Sequence, residues 1–377
     1  MYFDYCATTP ISTEVLEAMH PFWQENFGNP SSLHQHGQIA ANALQHAREQ
    51  VAGLLDADEG EIIFTSGATE ADNLALMGIL RPWENKIVHL ITSSVEHHAV
   101  LHTAQALEKM GCLVTYLPVD SSGMIDLDDL RRAIRKETRL ISIMHVNNEV
   151  GTIQPIAEIG KIAKENGILF HCDAVQGVGF LDVNVKEMGV QLLSLSAHKI
   201  YGPKGVGALY LQKDIEIQNL FYGGSQEKKI RPGTENIPGI VGFGKAAEVI
   251  RKDRVGNKQH VRVLRDQLIH ALKVNIPDLV VNGPADDRVC PHVISLTFPG
   301  SVAEMMQIRL AMQGVAVSLG SACNSKEIAP SHVLLAMGLS REAADATIRV
   351  SLGAPTTADE IKLLSQLLPT AASACKI

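Results

Sequence analysis

The sequence lacks the features that mark several protein classes. None of its six cysteines stands in a Cys-x-x-Cys pair, so zinc sites and disulfide frameworks are poor interpretations. No apolar stretch reaches the ~18 residues needed to span a bilayer, and residues 1–4 do not begin a signal peptide. A net charge of -8 does not favour a broad nucleic-acid-binding surface. We therefore expect a cytoplasmic protein that binds no metal, no membrane and no nucleic acid directly.

Repeats and low-complexity segments are also absent, and short apolar runs alternate with helical segments along the chain. With 46% hydrophobic residues over 377 positions, the chain has room for about two domains with sizeable cores. The alternation predicts a doubly wound, mainly parallel sheet. A helical pattern dominates from about 238 to 274, and further strands are expected near 279–282 and 292–298. The first seven strands are predicted at 61–66, 87–92, 112–118, 140–146, 168–173, 190–196 and 206–211, with helices such as 98–110 and 155–166 between them.

Asp173 ends one predicted buried strand, and Lys199 follows another. Residues 168–173 end in the carboxylate, and Lys199 lies just past the strand at 190–196. A buried carboxylate needs a cation, which a protonated pyridine nitrogen would supply, and a lysine amine can bond covalently to an aldehyde. Pyridoxal 5'-phosphate (PLP) requires both contacts. Taken singly, Lys199 would be a surface amine, and Asp173 would be a helix cap or an ordinary ion-pair partner.

A phosphate-binding turn is predicted after the strand at 61–66. Gly67 allows a tight turn, and Ala68 and Thr69 open a helix whose unpaired N–H groups and dipole favour an anion. Thr69 adds a hydroxyl donor. Alone, Gly-Ala-Thr more often marks a simple strand-to-helix turn, so this prediction depends on its companions elsewhere in the sequence.

Six motifs occur in order along the chain. Together they resemble the NifS/IscS-type cysteine desulfurases of the class-V aminotransferase family, within the fold-type I PLP-dependent enzymes. The resemblance extends from residues 4–10 to residues 348–353, so it covers nearly the whole chain. The motifs are Gly-Ala-Thr-Glu at 67–70, Val-Glu-His-His-Ala-Val at 95–100, Val-Asn-Asn-Glu-Val-Gly at 146–151, His-Cys-Asp-Ala-Val-Gln at 171–176, Ser-Ala-His-Lys at 196–199 and Arg-Pro-Gly-Thr-Glu-Asn at 231–236.

The resemblance implies an α/β fold of the aspartate-aminotransferase-like, fold-type I class. It implies a large PLP-binding domain at residues 14–255, with a mainly parallel seven-stranded sheet. Residues 1–13 and 256–377 are expected to form a smaller α/β C-terminal domain, which contains a mobile cysteine loop at about 319–330. Thr234 is expected to reach the cofactor phosphate of a neighbouring subunit, which implies a homodimer. Without the resemblance, Thr234 would be a turn residue.

Most cofactor-binding roles follow from the resemblance alone. His97 resembles the imidazole that stacks on the cofactor ring and moves protons, although among 15 histidines it would otherwise be an ordinary core or surface residue. Gln176 resembles the amide that donates to the ring's phenolic oxygen. For the phosphate ligands the alternative is turn chemistry and capping. The residues that resemble those ligands are Ala68, Thr69, Ser196 and His198.

Asn148 and Arg349 resemble the clamp on the substrate carboxylate. The planar fork of an arginine can bind a carboxylate bidentately, whereas a lysine offers only a point charge. Without the resemblance, the pattern of residues 347–352 would place Arg349 on the exposed face of a strand.

PLP-binding residues alone do not determine the reaction, because aminotransferases and other lyases share them. Cys323 indicates which reaction this protein catalyses. It lies in a small-residue segment, 318–325, without helical or strand period, which is typical of a mobile loop. In the family, the corresponding cysteine accepts sulfur. Among the other cysteines, Cys375 is expected in a frayed tail. Those interpreted as small buried hydrophobes are Cys112, Cys172 and Cys290.

The resemblance implies a reaction that converts L-cysteine into L-alanine. Lys199 acts as the base at the substrate's alpha carbon, the Cys323 thiolate takes the sulfur as a persulfide, and His97 or Lys199 supplies a proton. An acceptor protein then receives the sulfur for iron–sulfur cluster assembly, tRNA thiolation or DNA phosphorothioation. Two alternatives stay open: another fold-type I PLP enzyme, such as a selenocysteine lyase or an aminotransferase, and a non-catalytic scaffold for sulfur-handling partners.

Overall fold

The computed structural model describes residues 1–81, 87–320 and 330–376. Within these ranges the chain forms thirteen α-helices and two sheets. The helices are α1 Thr13–Met19, α2 Pro21–Gln24, α3 Gln35–Leu55, α4 Ala68–Leu80, α5 His98–Lys109, α6 Leu127–Ala133, α7 Ile156–Glu165, α8 Val185–Met188, α9 Ile237–Asn275, α10 Ala303–Met312, α11 His332–Ala336, α12 Arg341–Asp345 and α13 Ala358–Ala374.

The large sheet contains seven strands. They are β1 Ile62–Thr65, β2 His89–Ser93, β3 Leu113–Leu117, β4 Thr138–Ser142, β5 Leu169–Asp173, β6 Leu192–Ser196 and β7 Gly207–Leu211. Their spatial order is β1-β7-β6-β5-β4-β2-β3. The strands from β6 to β3 in this order run parallel, whereas β7 lies antiparallel between β1 and β6.

The carboxyl ends of six strands, β1 to β6, meet at one edge of the large sheet. Because β7 is antiparallel to both of its neighbours, β1 points the same way as the parallel strands. The segments that follow β1, β2, β4, β5 and β6 therefore leave the sheet at the same edge. In open α/β sheets this edge is where ligands bind.

Helices cover both faces of the large sheet, as strands buried on both sides require. Along β1, alternate side chains serve opposite faces, with Phe64 on one face and Ile63 on the other. Phe64 belongs to a core with Phe243 of α9 and with residues of α3 and α7. Ile63 belongs to a core with Leu74 of α4 and Val100 of α5. The sheet is thus doubly wound.

The second sheet is smaller and antiparallel. Its strands are β8 Val280–Asn282, β9 Val293–Thr297, β10 Ser318–Leu319 and β11 Thr347–Ser351, in the order β10-β11-β9-β8. Its core includes Phe3 from the start of the chain, Leu268 of α9 and Leu364 of α13. Asp4 forms a parallel bridge with Ser351, so the first residues pack along β11.

Helix α9 contributes to both cores, through Phe243 near its start and Leu268 near its end. The predicted domain boundary at residues 255–256 falls inside this continuous helix of 39 residues. None of the described helices is long and apolar enough to cross a membrane.

The α/β fold and the mainly parallel seven-stranded sheet are confirmed, and each predicted strand overlaps an observed one. Two local expectations are wrong. Cys375 is 4% exposed, and its carbonyl accepts a hydrogen bond from the Val302 backbone N–H, so the described end of the chain is packed rather than frayed. Ser318 and Leu319 form a strand although their segment has no strand period, because pairing with Ile348 and Arg349 determines their conformation.

Candidate active site

A cavity of about 540 Å³ lies at the carboxyl edge of the large sheet. It brings together predicted site residues from the segments after β1, β2, β4, β5 and β6, and from β11. They are Ala68, Thr69, His97, Asn148, Asp173, Gln176, Ser196, His198, Lys199 and Arg349. Predicted cofactor and substrate residues that are far apart in sequence therefore line one cavity.

Two predicted residues are placed differently. Thr234 lines a second cavity, of about 150 Å³, which shares Ser66 and Gly205 with the first. Thr234 thus borders the phosphate-binding turn from outside the main cavity. Cys323 lies outside the described residues.

Lys199 ends the short 3-10 turn Ala197–Lys199 that follows β6. Its Nζ donates to the carbonyl oxygen of Ala7 at 2.9 Å and to that of Cys6. These contacts place the amine on the cavity wall, between the sheet edge and the first residues of the chain. An aldehyde bound in the cavity would be within its reach.

Asp173 is the last residue of β5 and is 6% exposed. Its Oδ1 accepts a hydrogen bond from the Val175 backbone N–H at 3.0 Å. Burial raises the pKa of the carboxyl to about 6, although this hydrogen bond and the positive charge of Lys199 act in the opposite direction. A cation in the cavity would favour the ionised form. A protonated ring nitrogen is such a cation, so Asp173 fits the ring end of PLP.

The start of α4 forms the other end of the cavity. Ala68 and Thr69 are its first two residues, and Gly67 supplies no side-chain cap, so the first-turn N–H groups can serve an anion. Gly207 on β7 permits this arrangement. A Cβ at residue 207 would lie 2.5 Å from the Leu195 carbonyl oxygen and 2.7 Å from the backbone of Gly67. Only glycine lets the turn pack so closely against the sheet.

Ser196 and His198 complete the anion-binding end. Ser196 is the last residue of β6 and is buried. His198 Nδ1 lies 3.1 Å from the Thr8 hydroxyl. Burial, with the positive charges of Lys199 and Lys204, lowers the pKa of His198 to about 4. The ring is therefore neutral at neutral pH until an anion binds beside it, and a protonated ring nitrogen can donate a hydrogen bond to a phosphate.

His97 caps helix α5, because its Nδ1 accepts a hydrogen bond from the Ala99 backbone N–H at 3.1 Å. Burial lowers its pKa to about 4, with a further contribution from the positive charge of Lys199. The imidazole is therefore neutral at neutral pH, with its proton on Nε2. This state favours stacking and hydrogen-bond donation at Nε2 over donation of a proton by an imidazolium.

Gln176 is oriented by Cys6 and by His292, and no motif had indicated His292. Its Nε2 donates to the Cys6 carbonyl oxygen at 3.0 Å, and its Oε1 lies 3.2 Å from Nε2 of His292. His292 is 2% exposed and stacks on Phe180 with ring centroids 4.2 Å apart. His292 directly precedes β9, so the folding of the second sheet brings it to Gln176. Local sequence does not encode this long-range contact.

Arg349 is buried on β11, not on an exposed strand face. Its guanidinium donates to the Asn148 carbonyl oxygen and to Asp4 Oδ1, each at 2.9 Å. Its buried Nε has no hydrogen-bond partner among the described residues. A buried guanidinium with an unsatisfied donor fits a small carboxylate such as that of an amino acid.

Three buried carboxyl groups near the cavity were not predicted. Burial raises the pKa of Glu96 to about 8, and that of Glu149 to about 7. Asp72 has its pKa well above the usual range because of burial and the neighbouring charge of Asp173. Glu96 and Glu149 stand inside the motifs at 95–100 and 146–151, so the sequence contained a signal for both.

These groups match the parts of PLP. The cavity offers an amine for the aldehyde, a buried carboxyl for the ring nitrogen and the start of a helix for the phosphate. Asp173 gives the sharpest test, because burial destabilises its charge and a cationic ring would relieve that cost. The described residues therefore fit the cofactor.

Comparisons with known proteins agree with this geometry. Residues 1–364 match the family of class-V aminotransferases. The chain is 49% identical over 370 residues to cysteine desulfurase IscS of Clostridium botulinum, covering 98% of this chain and 93% of that protein. It is 50% identical over 368 residues to cysteine desulfurase IscS of Dictyoglomus turgidum, with the same coverage.

Two solved structures are also similar. A NifS-like protein superposes with a TM-score of 0.93 at 37% identity, covering 99% of each chain. The structure described as SspA in complex with cysteine gives a TM-score of 0.82 at 40% identity, covering 94% of this chain and 99% of that one. The relatives do not favour an aminotransferase or a selenocysteine lyase. The chain therefore belongs to the class-V aminotransferase family, as a PLP-dependent cysteine desulfurase of the NifS/IscS type.

Proposed function

We propose that the protein converts L-cysteine into L-alanine and holds the released sulfur as a persulfide on Cys323. The main support is the convergence of Lys199, Asp173 and Arg349 on one cavity. Their side chains match an aldehyde, a protonated ring nitrogen and a substrate carboxylate. The complex of a similar protein, SspA, with cysteine supports the same substrate.

Binding of the cofactor is assigned to residues at two ends of the cavity. Lys199 would hold the aldehyde, Asp173 would pair with the ring nitrogen, and Gln176 would donate to the phenolic oxygen. His97 would contact the ring as a neutral imidazole. The phosphate is bound by the first turn of α4 together with the ligands Ala68, Thr69, Ser196 and His198. When bound, PLP supplies an electron sink for the pair released at the substrate's alpha carbon.

The substrate is oriented by its carboxylate. Arg349 and Asn148 bind that group, which directs the alpha carbon toward Lys199. Lys199 removes the alpha proton as a general base and later returns a proton. Nε2 of His97 supplies a hydrogen bond near the reacting atoms, because its Nδ1 is already engaged by the Ala99 N–H.

Sulfur transfer occurs by attack of the Cys323 thiolate on the substrate sulfur. An S–S bond forms as the C–S bond of cysteine breaks, and the electron pair of the broken bond stays with carbon. That carbon takes up a proton and becomes the methyl group of alanine. No external oxidant is needed, because the two electrons of the broken C–S bond stay on carbon when the sulfur atom is transferred.

The test is a single turnover of the PLP-loaded protein with cysteine. We expect one alanine for each persulfide, and a peptide containing Cys323 that is heavier by one sulfur atom in mass spectra. The Cys323→Ala variant should lose both products, and Lys199→Ala should lose alanine while retaining Cys323. Alanine production that continues in Cys323→Ala would contradict the proposal.

We also propose a homodimer with shared active sites. Thr234 lies in a loop that borders the phosphate end from outside the main cavity. If the dimer interface ran through this loop, Thr234 would reach the cofactor phosphate of the neighbouring subunit. Gly223 packs against Pro232 of the same loop, next to Phe221 and Tyr222, which are 54% and 79% exposed. Exposed aromatic side chains of this kind are typical of protein interfaces.

The final step of the proposal is delivery of the sulfur to an acceptor protein in the cytoplasm. The described cysteines are all free and buried, which agrees with a reducing compartment. Incubation of the persulfide form with a cell extract, followed by identification of proteins that gain the sulfur, would name the acceptor.

A further inference from the structure

One carboxylate lies between the two ends of the segment that contains Cys323. Gly320 directly precedes residues 321–329, which the structure does not describe. Pro330 follows them, and Ser331 is the next residue. The Ser331 hydroxyl donates to Oε2 of Glu149. A Cβ at residue 320 would lie 2.6 Å from the same oxygen and 3.2 Å from Cβ of Ser331. Both ends therefore meet at Glu149.

The end of the segment at Ser331 is also fixed to the rest of the protein near Glu149. Ser331 caps α11, because its hydroxyl oxygen accepts from the Leu334 backbone N–H at 3.1 Å. Next to it, Nε2 of His332 lies 3.0 Å from the carbonyl oxygen of Glu96. Leu334 also packs with Val95 and Val150 in a small apolar core. Glu149 thus belongs to the surface on which α11 rests.

Glu149 is itself held beside the substrate clamp. Its backbone N–H donates to Asn147 Oδ1 at 2.9 Å, and Asn147 Nδ2 donates to the Val95 carbonyl oxygen at 2.9 Å. The preceding residue, Asn148, accepts a hydrogen bond from Arg349. Glu149 is therefore the residue next to Asn148, which belongs to the proposed clamp on the substrate carboxylate. Its side chain contacts Ser331, close to the end of the segment that contains Cys323.

We propose that Glu149 is a positioning residue that holds Gly320 and Ser331 beside the Arg349 clamp, and that the rate of persulfide formation on Cys323 depends on this contact. The inference rests on the proposed function, because it assumes that Cys323 receives the sulfur. It assigns no contact with substrate to Glu149. The hydrogen bond to Ser331 transmits its effect.

Two variants test the link, and each leaves the PLP-binding residues intact. Glu149→Gln keeps the shape of the side chain and removes its charge, and Ser331→Ala removes the donor. In single turnovers of the PLP-loaded protein, each should slow persulfide formation on Cys323 roughly tenfold, the effect expected for losing one charge-assisted hydrogen bond. The KM for cysteine should change less than roughly threefold, because Arg349 keeps its own contacts.

Ser340→Ala provides the matched control. Ser340 caps α12 as Ser331 caps α11, by accepting from the Ala343 N–H at 3.1 Å, but it is exposed and bonds no carboxylate. This variant should form persulfide at the wild-type rate. The double variant Glu149→Gln/Ser331→Ala should be no slower than either single variant, because both remove the same bond.

A pH profile separates this role from a merely structural one. Burial raises the pKa of Glu149 to about 7, and the opposing charge is that of Arg349 on β11. On α11 the neighbouring titratable group is His332, which faces the Glu96 carbonyl instead. Above this pKa the hydrogen bond from Ser331 is charge-assisted. The rate ratio of wild type to Glu149→Gln should therefore shrink as the pH falls below about 7.

The proposal is overturned if Glu149→Gln forms persulfide at the wild-type rate, if only its KM for cysteine changes, or if its effect and that of Ser331→Ala are additive. These outcomes are distinct from failure of the proposed function. In that case the wild-type protein itself would form alanine without sulfur on Cys323.

Discussion

At the scale of single residues, burial sets the charge of the groups around the cavity. It raises the pKa of Asp173, Glu96 and Glu149, and it lowers the pKa of His97. Each group therefore tends toward its neutral form until a partner of opposite charge arrives. The cavity is in this sense prepared for cationic and anionic ligand groups at defined positions.

Asp173→Asn tests the ring contact. The amide keeps the shape but cannot pair with a protonated nitrogen, so the turnover of cysteine should fall at least roughly tenfold, given about 1.5–3 kcal/mol for a hydrogen bond to a charged group. Lys199 should still form a coloured adduct with PLP. Alanine assays and visible absorbance measure the two effects, and Asp173→Glu should restore part of the activity.

The pH dependence of PLP binding follows from the same group. Below a pKa of about 6, Asp173 takes up a proton and loses its attraction for the cationic ring. The affinity of the wild-type apoprotein should therefore decrease more steeply below about pH 6 than that of Asp173→Asn. Parallel curves for the two proteins would show that another group, such as the cofactor phosphate, determines the dependence.

At the scale of elements, the site depends on where the strands end. The sequence predicted the strands before Asp173 and Lys199 because a strand buried on both faces appears as a short apolar run. It did not predict that β7 runs antiparallel, because local pattern does not determine strand direction. His292 was missed for a similar reason, because its partner Gln176 is distant in sequence. Glu149 stands inside a motif, but its contact with Ser331 joins residues 182 positions apart and could not be predicted locally. The roles of the predicted site residues stay predictions.

Gly207→Ala tests the packing of the phosphate turn on β7. The added methyl group would meet the Leu195 carbonyl and the backbone of Gly67, so the turn must move. We expect weaker PLP binding and a lower thermal unfolding midpoint, since overpacking typically costs about 1–3 kcal/mol. Fluorescence titration with PLP and calorimetry provide the measurements.

Gly256→Ala is the control for that experiment. Gly256 lies exposed within α9, and a Cβ there meets nothing within 4 Å. The substitution should stabilise the protein by roughly 0.5–1 kcal/mol, because alanine loses less backbone freedom in a helix. PLP affinity should not change. Equal effects of the two substitutions on PLP affinity would contradict the role assigned to Gly207.

At the scale of the whole molecule, the proposed homodimer makes a specific prediction about mixed subunits. Lys199→Ala and Thr234→Val should each be nearly inactive alone. When they are co-expressed, a mixed dimer has one site with Lys199 from one subunit and Thr234 from the other. Random pairing should therefore restore roughly a quarter of wild-type activity. If mixing restores nothing, or the protein elutes as a monomer, the shared site is excluded.

The first residues of the chain have a consequence for biosynthesis. Asp4 binds Arg349, which lies 345 positions later, and the carbonyls of Cys6 and Ala7 hold the Lys199 amine. Residues 1–7 are translated long before the segments they pair with, because Tyr2 forms a bridge with Ala316 and Asp4 forms one with Ser351 of β11. A nascent chain stalled before β11 should therefore accumulate without its vitamin-derived group.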